Sequence, residues 1–332
     1  MKTGNLRLAS EAIEIEVDVT SGATITRIAR PGGPNCLFEA DWVSPVRASR
    51  SRSYGDPTLD WLSEYRGGWH GLFPNAGAPA VIDGLSIPFH GELSLAEWEI
   101  TERSERSVTL IAGCRLPLVL TRVITLDESA ATLRIVESAT NEGDDSVSFL
   151  WGHHPALDVS KGGVLDLPGC SLHVSPSWRP SHGDLVPDAR GTWPSVEGKE
   201  GQVDLRSVPV QPTERLVFLS NLDAHWAAYR PASGDAVAIA WDGETFPHAW
   251  LWTQIMGAGF PWYGRPEIVA IEPQSAPDDA GLALHRDAGR ALKLAPADQR
   301  TAWVTVSLFD ATPHPVVDVD RSGRVTLEKE IP

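Results

Sequence analysis

Residues 13–19, Ile-Glu-Ile-Glu-Val-Asp-Val, alternate apolar and acidic side chains without a break. A period of two puts each set on its own side of an extended chain, giving a strand with one buried and one wetted face. Alternation or β-branched runs return at 108–111, 118–126, 132–136, 147–151, 236–241, 268–271 and 303–309. Turn chemistry separates them: Asp83-Gly84, Asn141-Glu142-Gly143, Ser233-Gly234-Asp235 and Asp242-Gly243. Helical periodicity is weak, with one short candidate at 278–292 that Gly281 and Gly289 interrupt. A chain patterned in this way is expected to be all-β, a large antiparallel β-sandwich or barrel rather than a set of βαβ units.

At 332 residues the chain is long enough for a large core, and all-β folds of this size often form one domain. One domain over 1–332 is expected, with a long loop insertion at about 174–214, where Pro, Gly and Ser replace periodicity. Residues 44–66, rich in Ser, Arg and Pro, read as a second long loop. Loops of this length are often lids or binding loops.

Composition narrows the function. The net charge of −16 repels phosphate backbones and anionic lipid, so neither nucleic acid nor membrane is an expected partner. The N-terminal residues lack the apolar core of a signal peptide, and no stretch approaches a membrane span. Cys36, Cys114 and Cys170 are odd in number and widely spaced, which argues for a reducing, cytoplasmic compartment and against a zinc site of cysteines. No P-loop or GxGxxG occurs, the lack of GxSxG disfavours an α/β-hydrolase, and no HExxH or comparable metal pair appears. Metal binding by histidines gathered in the fold, as in a cupin barrel, stays open as an alternative. Thirteen tryptophans offer flat apolar faces, each with one N–H donor, which suit sugar rings and suit a core equally.

Two short polar islands carry the chemistry. Trp151-Gly152-His153-His154-Pro155 ends one apolar run and Ile271-Glu272-Pro273-Gln274-Ser275-Ala276-Pro277 ends another. Strand parity sends His153 and His154 to opposite faces, and Pro155 should stop the strand. Glu272 shares parity with Ile268 and Ala270, so its carboxyl lies against apolar surface, which raises its proton affinity and suits a base near neutral pH. In Phe89-His90-Gly91-Glu92, the glycine beside His90 is expected to leave backbone room for a ligand. Trp250, Trp252 and Gln254 share a face and form either a sugar platform or a layer of core.

In this order the islands resemble the galactose mutarotase-like superfamily, specifically the aldose 1-epimerases. The residues 13–19 strand with Ser21-Gly22-Ala23-Thr24-Ile25 resembles the family's opening. Phe73-Pro74-Asn75-Ala76-Gly77, Asp83-Gly84, His90-Gly91-Glu92 and Trp98-Glu99 follow its order, and Gly152-His153-His154-Pro155 is similar to its G-[WH]-H-P motif. Glu272-Pro273-Gln274-Ser275-Ala276-Pro277-Asp278-Asp279-Ala280 resembles its C-terminal glutamate motif, and the strand at 303–309 completes the set. The resemblance implies a supersandwich whose concave sheet face holds a small-molecule sugar, with neither metal nor cofactor, in a monomer or homodimer. It makes Glu272 the general base, His154 the general acid and His90 an assisting histidine, with Asn75 and His153 beside the substrate. Two departures stand out. Asn75 is followed by Ala76 where the family often has arginine, for which Arg66 is the candidate substitute. The family's sugar-gripping aspartate has only Asp223 and Asp242 as candidates. A non-catalytic sugar-binding sandwich, a sugar-phosphate epimerase drawing on Arg47, Arg50, Arg52 and Arg66, and a carbohydrate lyase are the alternatives on the same scaffold.

Overall fold

The computed structural model describes residues 5–42, 55–160 and 162–328. Two large antiparallel sheets pack face to face. Among the described residues the larger has 12 strands. In spatial order its first half is Asn5–Ala9, Glu14–Asp18, Thr24–Ala29, Trp69–Leu72, Gly152–Asp158 and Glu267–Gln274. His248–Ile255, Thr213–Ser220, Ser171–Val174, Arg190–Thr192, Ser195–Gly198 and Gly201–Asp204 complete it. The second sheet has 8 strands: Val164–Asp166, Trp226–Arg230, Asp235–Trp241, Gln299–Asp310, Thr132–Asn141, Leu118–Leu126, Ser107–Gly113 and Glu99–Arg103. No helix among the described residues is long and apolar enough to cross a membrane.

The alternating pattern decides which face is buried. Leu6, Leu8, Ile15 and Val17 point inward from the first two strands, while Arg7 and Glu16 point out. The strand Leu118–Leu126 sends Leu118, Leu120, Ile124 and Leu126 into the same core, and Thr132–Asn141 adds Leu133, Ile135 and Ala139. At about 25 cal/mol per Å² of buried apolar surface, this one contiguous layer dominates the folding energy.

Several local expectations need correction. The stretch at 174–214 is not all loop: Arg190–Thr192, Ser195–Gly198 and Gly201–Asp204 extend the large sheet as a ladder of short strands. Residues 43–54, including Arg47, Arg50 and Arg52, lie outside the described residues. The second half of the supposed loop at 44–66 is a helix, Pro57–Glu64. Asp56 caps it by accepting from the backbone N–H groups of Thr58 and Leu59, and Pro57 stands where no intrahelical donor is needed. The helix expected over 278–292 shrinks to Leu282–Asp287.

Pro155 does not end its strand, which runs on through Asp158. Glu272 likewise precedes the end of its own strand at Gln274, two residues later. The ladder between these neighbours pairs Gly152 with Gln274 and resumes at Ala156 with Ala270, leaving the residues between unpaired. Pro155 and Pro273 both fall in that gap, where their missing N–H groups cost the ladder little.

Candidate functional site

The gap in the ladder is where His154 and Glu272 face one another. Both point out of the sandwich, and the His154 Nε2 atom lies 3.5 Å from Glu272 Oε1. The Gln274 side chain reaches back along its strand, its Nε2 donating to Glu272 Oε2 at 3.2 Å. That amide lies over Gly152: a Cβ there would sit 1.9 Å from Gln274 Oε1, so only glycine at 152 leaves Gln274 its place. On the other side His70 is the register neighbour of His154. Its Nδ1 is 3.1 Å from Thr24 Oγ1 and 3.2 Å from the Ser94 carbonyl, and its Nε2 is 3.1 Å from the Gly67 carbonyl.

An aromatic shell closes over the pair. Trp61, on the Pro57–Glu64 helix, packs its ring 4.7 Å from that of His90 and 6.1 Å from that of His154. Tyr65 caps the end of this helix, stacks on Trp61 at 4.8 Å, and lies 5.6 Å from His154. Trp252 approaches His154 to 5.4 Å and is backed by Trp262. Trp61 is held by its Nε1 donating to Ser94 Oγ at 3.1 Å. As a result Glu272 is 2% exposed and His154 5%.

His90 adopts a left-handed backbone with φ of 60°. Its Nδ1 accepts from the Gly77 N–H at 3.1 Å, which fixes the tautomer with hydrogen on Nε2 and makes the ring a fixed donor. The room beside it is already taken: a Cβ on Gly91 would lie 2.3 Å from the Phe73 carbonyl, so this glycine admits a neighbouring backbone and not a ligand.

Burial sets the charge state. It raises the Glu272 carboxyl well above its ordinary range, against the lowering effect of the Gln274 hydrogen bond, and Asp279 adds to the rise. Burial also pulls His154 and His90 down, and holds His70 at about 4. The contact has ion-pair geometry, yet burial disfavours the charged form of each partner. Among the described residues, buried polar atoms around it have no partner: Tyr65 Oη, His154 Nδ1 and Gln274 Oε1. Unpaired buried groups of this kind are costly.

The expected residues divide by location. Glu272, His154, His90 and Trp252 converge. His153 points the opposite way, into the sandwich, where its Nδ1 accepts from Trp69 Nε1 at 3.2 Å and its Nε2 lies 3.3 Å from Glu137 Oε2. Glu137 also receives Arg122 Nε at 2.5 Å and Trp151 Nε1 at 2.9 Å, so His153 belongs to a buried network between the sheets. Asn75 is wholly buried and clasps loops, donating to the Ala78 and Pro88 carbonyls and accepting from the Leu282 N–H. Trp250 packs on Phe218 and donates to the Ala276 carbonyl, and Gln254 donates to Glu214 Oε1 at 3.0 Å. The three-residue platform thus reduces to Trp252. Asp223 is exposed, its backbone N–H tied to Gly169, and Asp242 shapes a turn by accepting from the Glu244 N–H. Arg66 lies on the wall of a groove beyond His70. Among the described residues no group of three or more His, Cys, Asp or Glu side chains is arranged to hold a metal.

Trp61, Tyr65, His70 and Gln274 complete the site without having been singled out. The signal for the first two was present in Asp56-Pro57, a cap and first-turn proline, followed by Trp61 and Tyr65 at helical spacing.

No family model matches the chain, and no curated protein sequence matches it. Solved structures do. The Slr1438 protein from Synechocystis superposes with a TM-score of 0.65 at 19% identity, covering 93% of this chain and 96% of that one. The galactose mutarotase related enzyme from Lactobacillus acidophilus gives 0.60 at 15%, covering 93% and 98%. A galactose mutarotase-like protein from Lactobacillus casei gives 0.57 at 16%, covering 92% and 100%. The fold is therefore the galactose mutarotase-like sandwich, in agreement with the resemblance read from the sequence.

Proposed function

Taking the galactose mutarotase-like sandwich as the premise, we propose that this chain is an aldose 1-epimerase, an isomerase that interconverts the α and β anomers of a hexose or related small-molecule sugar. The observation that carries the reading is the His154–Glu272 contact, buried on the outer sheet face among polar atoms that lack partners among the described residues. A polyhydroxylated ring is the ligand chemistry that supplies such partners.

The reaction needs one proton removed and one delivered. Glu272, as carboxylate, takes the hydrogen of the anomeric hydroxyl while His154, as imidazolium, protonates the ring oxygen. The bond from C1 to the ring oxygen breaks and an open-chain aldehyde forms. Rotation about C1–C2 presents the other carbonyl face. On closure both protons return, leaving the opposite anomer. The carboxylate–imidazolium state holds the same number of protons as a neutral pair. The two differ only by transfer of one proton between groups already 3.5 Å apart. Sugar hydroxyls bonded to Glu272, His154 Nδ1 and Tyr65 Oη stabilise the charged arrangement. His90, with Nε2–H fixed as donor, orients a sugar oxygen, and Trp252 offers an apolar face. The reading carries with it a cytoplasmic monomer or homodimer, supported by three cysteines that are all free thiols.

Polarimetry of freshly dissolved α-glucose and α-galactose tests the reading. The protein should accelerate anomer exchange, and Glu272→Gln and His154→Ala should each cost roughly 10²–10⁴-fold while the fold persists. Absence of acceleration by the parent protein, or parent-like rates in both variants, would overturn it. One observation favours a non-catalytic sugar binder instead: burial disfavours charge on both partners, and the rings of Trp61 and Tyr65 pack against His154. That alternative predicts calorimetric sugar binding with no faster exchange.

A further inference from the structure

Beyond His70 the outer face of the large sheet continues toward its Asn5–Ala9 edge as a groove of about 650 Å³. Specific ligand sites typically run about 300–1,000 Å³, so this groove has room for a sizeable guest. Its floor is the outward set of three alternating strands: Arg7 from the first, Glu16 and Asp18 from the second, Thr24 and Thr26 from the third. Phe38 supplies one apolar ring, and the backbone at Gly67 and Gly68 closes the end beside His70.

The lining selects among ligands. Among the described residues, three arginines, Arg7, Arg27 and Arg66, stand against four carboxylates, Glu16, Asp18, Glu39 and Glu64. Arg7 and Arg27 are further compensated by Glu14, which both of them contact. A phosphorylated or polyanionic guest gains nothing from a balance of that sign. Mixed donors and acceptors around one aromatic face suit a neutral ring bearing many hydroxyls. The groove also adjoins the acid–base pair. His70 lines it and neighbours His154 in the sheet, and the Tyr65 ring packs against both, 5.5 Å from one and 5.6 Å from the other.

We infer that the groove is a glycosyl-binding site for the outer rings of a reducing oligosaccharide whose terminal aldose sits at Glu272 and His154. This substrate class rests on the anomer-exchange reading above, and the test separates the two. Polarimetry would compare α-maltose with α-glucose and α-lactose with α-galactose. It would use the parent protein, a groove-filling Thr26→Trp variant and the milder Glu16→Ala, whose side chain points outward and accepts from Asn5 Nδ2. The expected result is a kcat/KM for the disaccharides at least tenfold above that for the monosaccharides. That ratio should fall to near one in Thr26→Trp and by several-fold in Glu16→Ala. A ratio at or below one in the parent protein, or a ratio that neither variant changes, overturns the inference. If no sugar is exchanged faster, the anomer-exchange reading fails and the groove is judged by calorimetry with methyl β-maltotrioside, which has no free anomeric centre. Binding that weakens tenfold or more in Thr26→Trp upholds the groove. No binding, or binding that both variants leave unchanged, overturns it.

Discussion

Replacing Arg122 by methionine tests the layer beneath the site. Arg122 is 3% exposed and gives Glu137 its shortest contact, 2.5 Å, while also donating to the Ala23 carbonyl and lying over the Trp98 ring. Burial by itself pushes the Glu137 carboxyl up, but Arg122 and His153 more than reverse this and hold it at about 2. A carboxyl at about 2 instead of 4.5 is worth about 3 kcal/mol at neutral pH, at 1.36 kcal/mol per tenfold. Because the folded value is the lower one, this stability is present above pH 4.5 and is lost as pH falls through about 2. At pH 3 only about 1 kcal/mol of it remains. Breaking a buried pair from one side costs about 3–5 kcal/mol by precedent, which agrees. Urea denaturation followed by tryptophan fluorescence should therefore show Arg122→Met destabilised by about 3–5 kcal/mol at pH 7 and by about 1–2 kcal/mol at pH 3. Changing Glu137 to methionine as well should recover more than half of the loss. A cost below about 1 kcal/mol at pH 7, a cost equal at both pH values, or a double variant no better than the single would refute the reasoning.

Three further outcomes follow from the site. Glu272→Gln should gain stability relative to the parent as pH rises. Burial raises the folded carboxyl above 4.5, so the parent's contribution is intact at low pH and lost as pH climbs through the raised value, whereas an amide does not titrate. Parallel melting profiles from pH 5 to 9 would contradict that sign. His70, held at about 4 by burial, contributes about 3 kcal/mol above pH 6.5 that is lost as pH falls toward 4. His70→Gln should flatten the acid limb of a urea-midpoint titration, and an unchanged limb counts against it. Gly152→Ala should drive the Gln274 amide off Glu272 and slow anomer exchange tenfold or more without unfolding the protein; an unchanged rate would remove Gln274 from the mechanism.

The sheets were legible because their cause is local. Leu118–Leu126 forms over the same residues that its alternation predicts, and parity alone separates the neighbours His153 and His154 onto the two faces. The same parity places Arg122 and Glu137 on apolar faces of adjacent strands, a written sign of a buried pair. Prolines misled. A ladder with a gap admits Pro155 and Pro273, and that gap depends on a register set by chain segments more than a hundred residues apart. The glycine beside His90 misled for a related reason, since what fills its space is the distant Phe73 carbonyl. The platform failed because parity names a face but not what covers it: Trp250 and Gln254 share the outer face with Trp252, yet other partners claim them.

The eight-residue helix over the site has a thermodynamic reach larger than its size. A helix so short is marginal by itself, so its place depends on Trp61 and Tyr65 being packed on the histidines below. On the proposed reading, a ligand that reaches Glu272 past Trp61 and Tyr65 would have to displace those rings, and the work of doing so would be subtracted from its affinity. If the displaced state is one part in a hundred of the population, every ligand binds about a hundredfold more weakly than its contacts alone would allow. On the proposed reading, two aromatic residues would compete with the guest, and substitutions on the solvent side of the helix, at exposed Leu59 for instance, would tune affinity from outside the site.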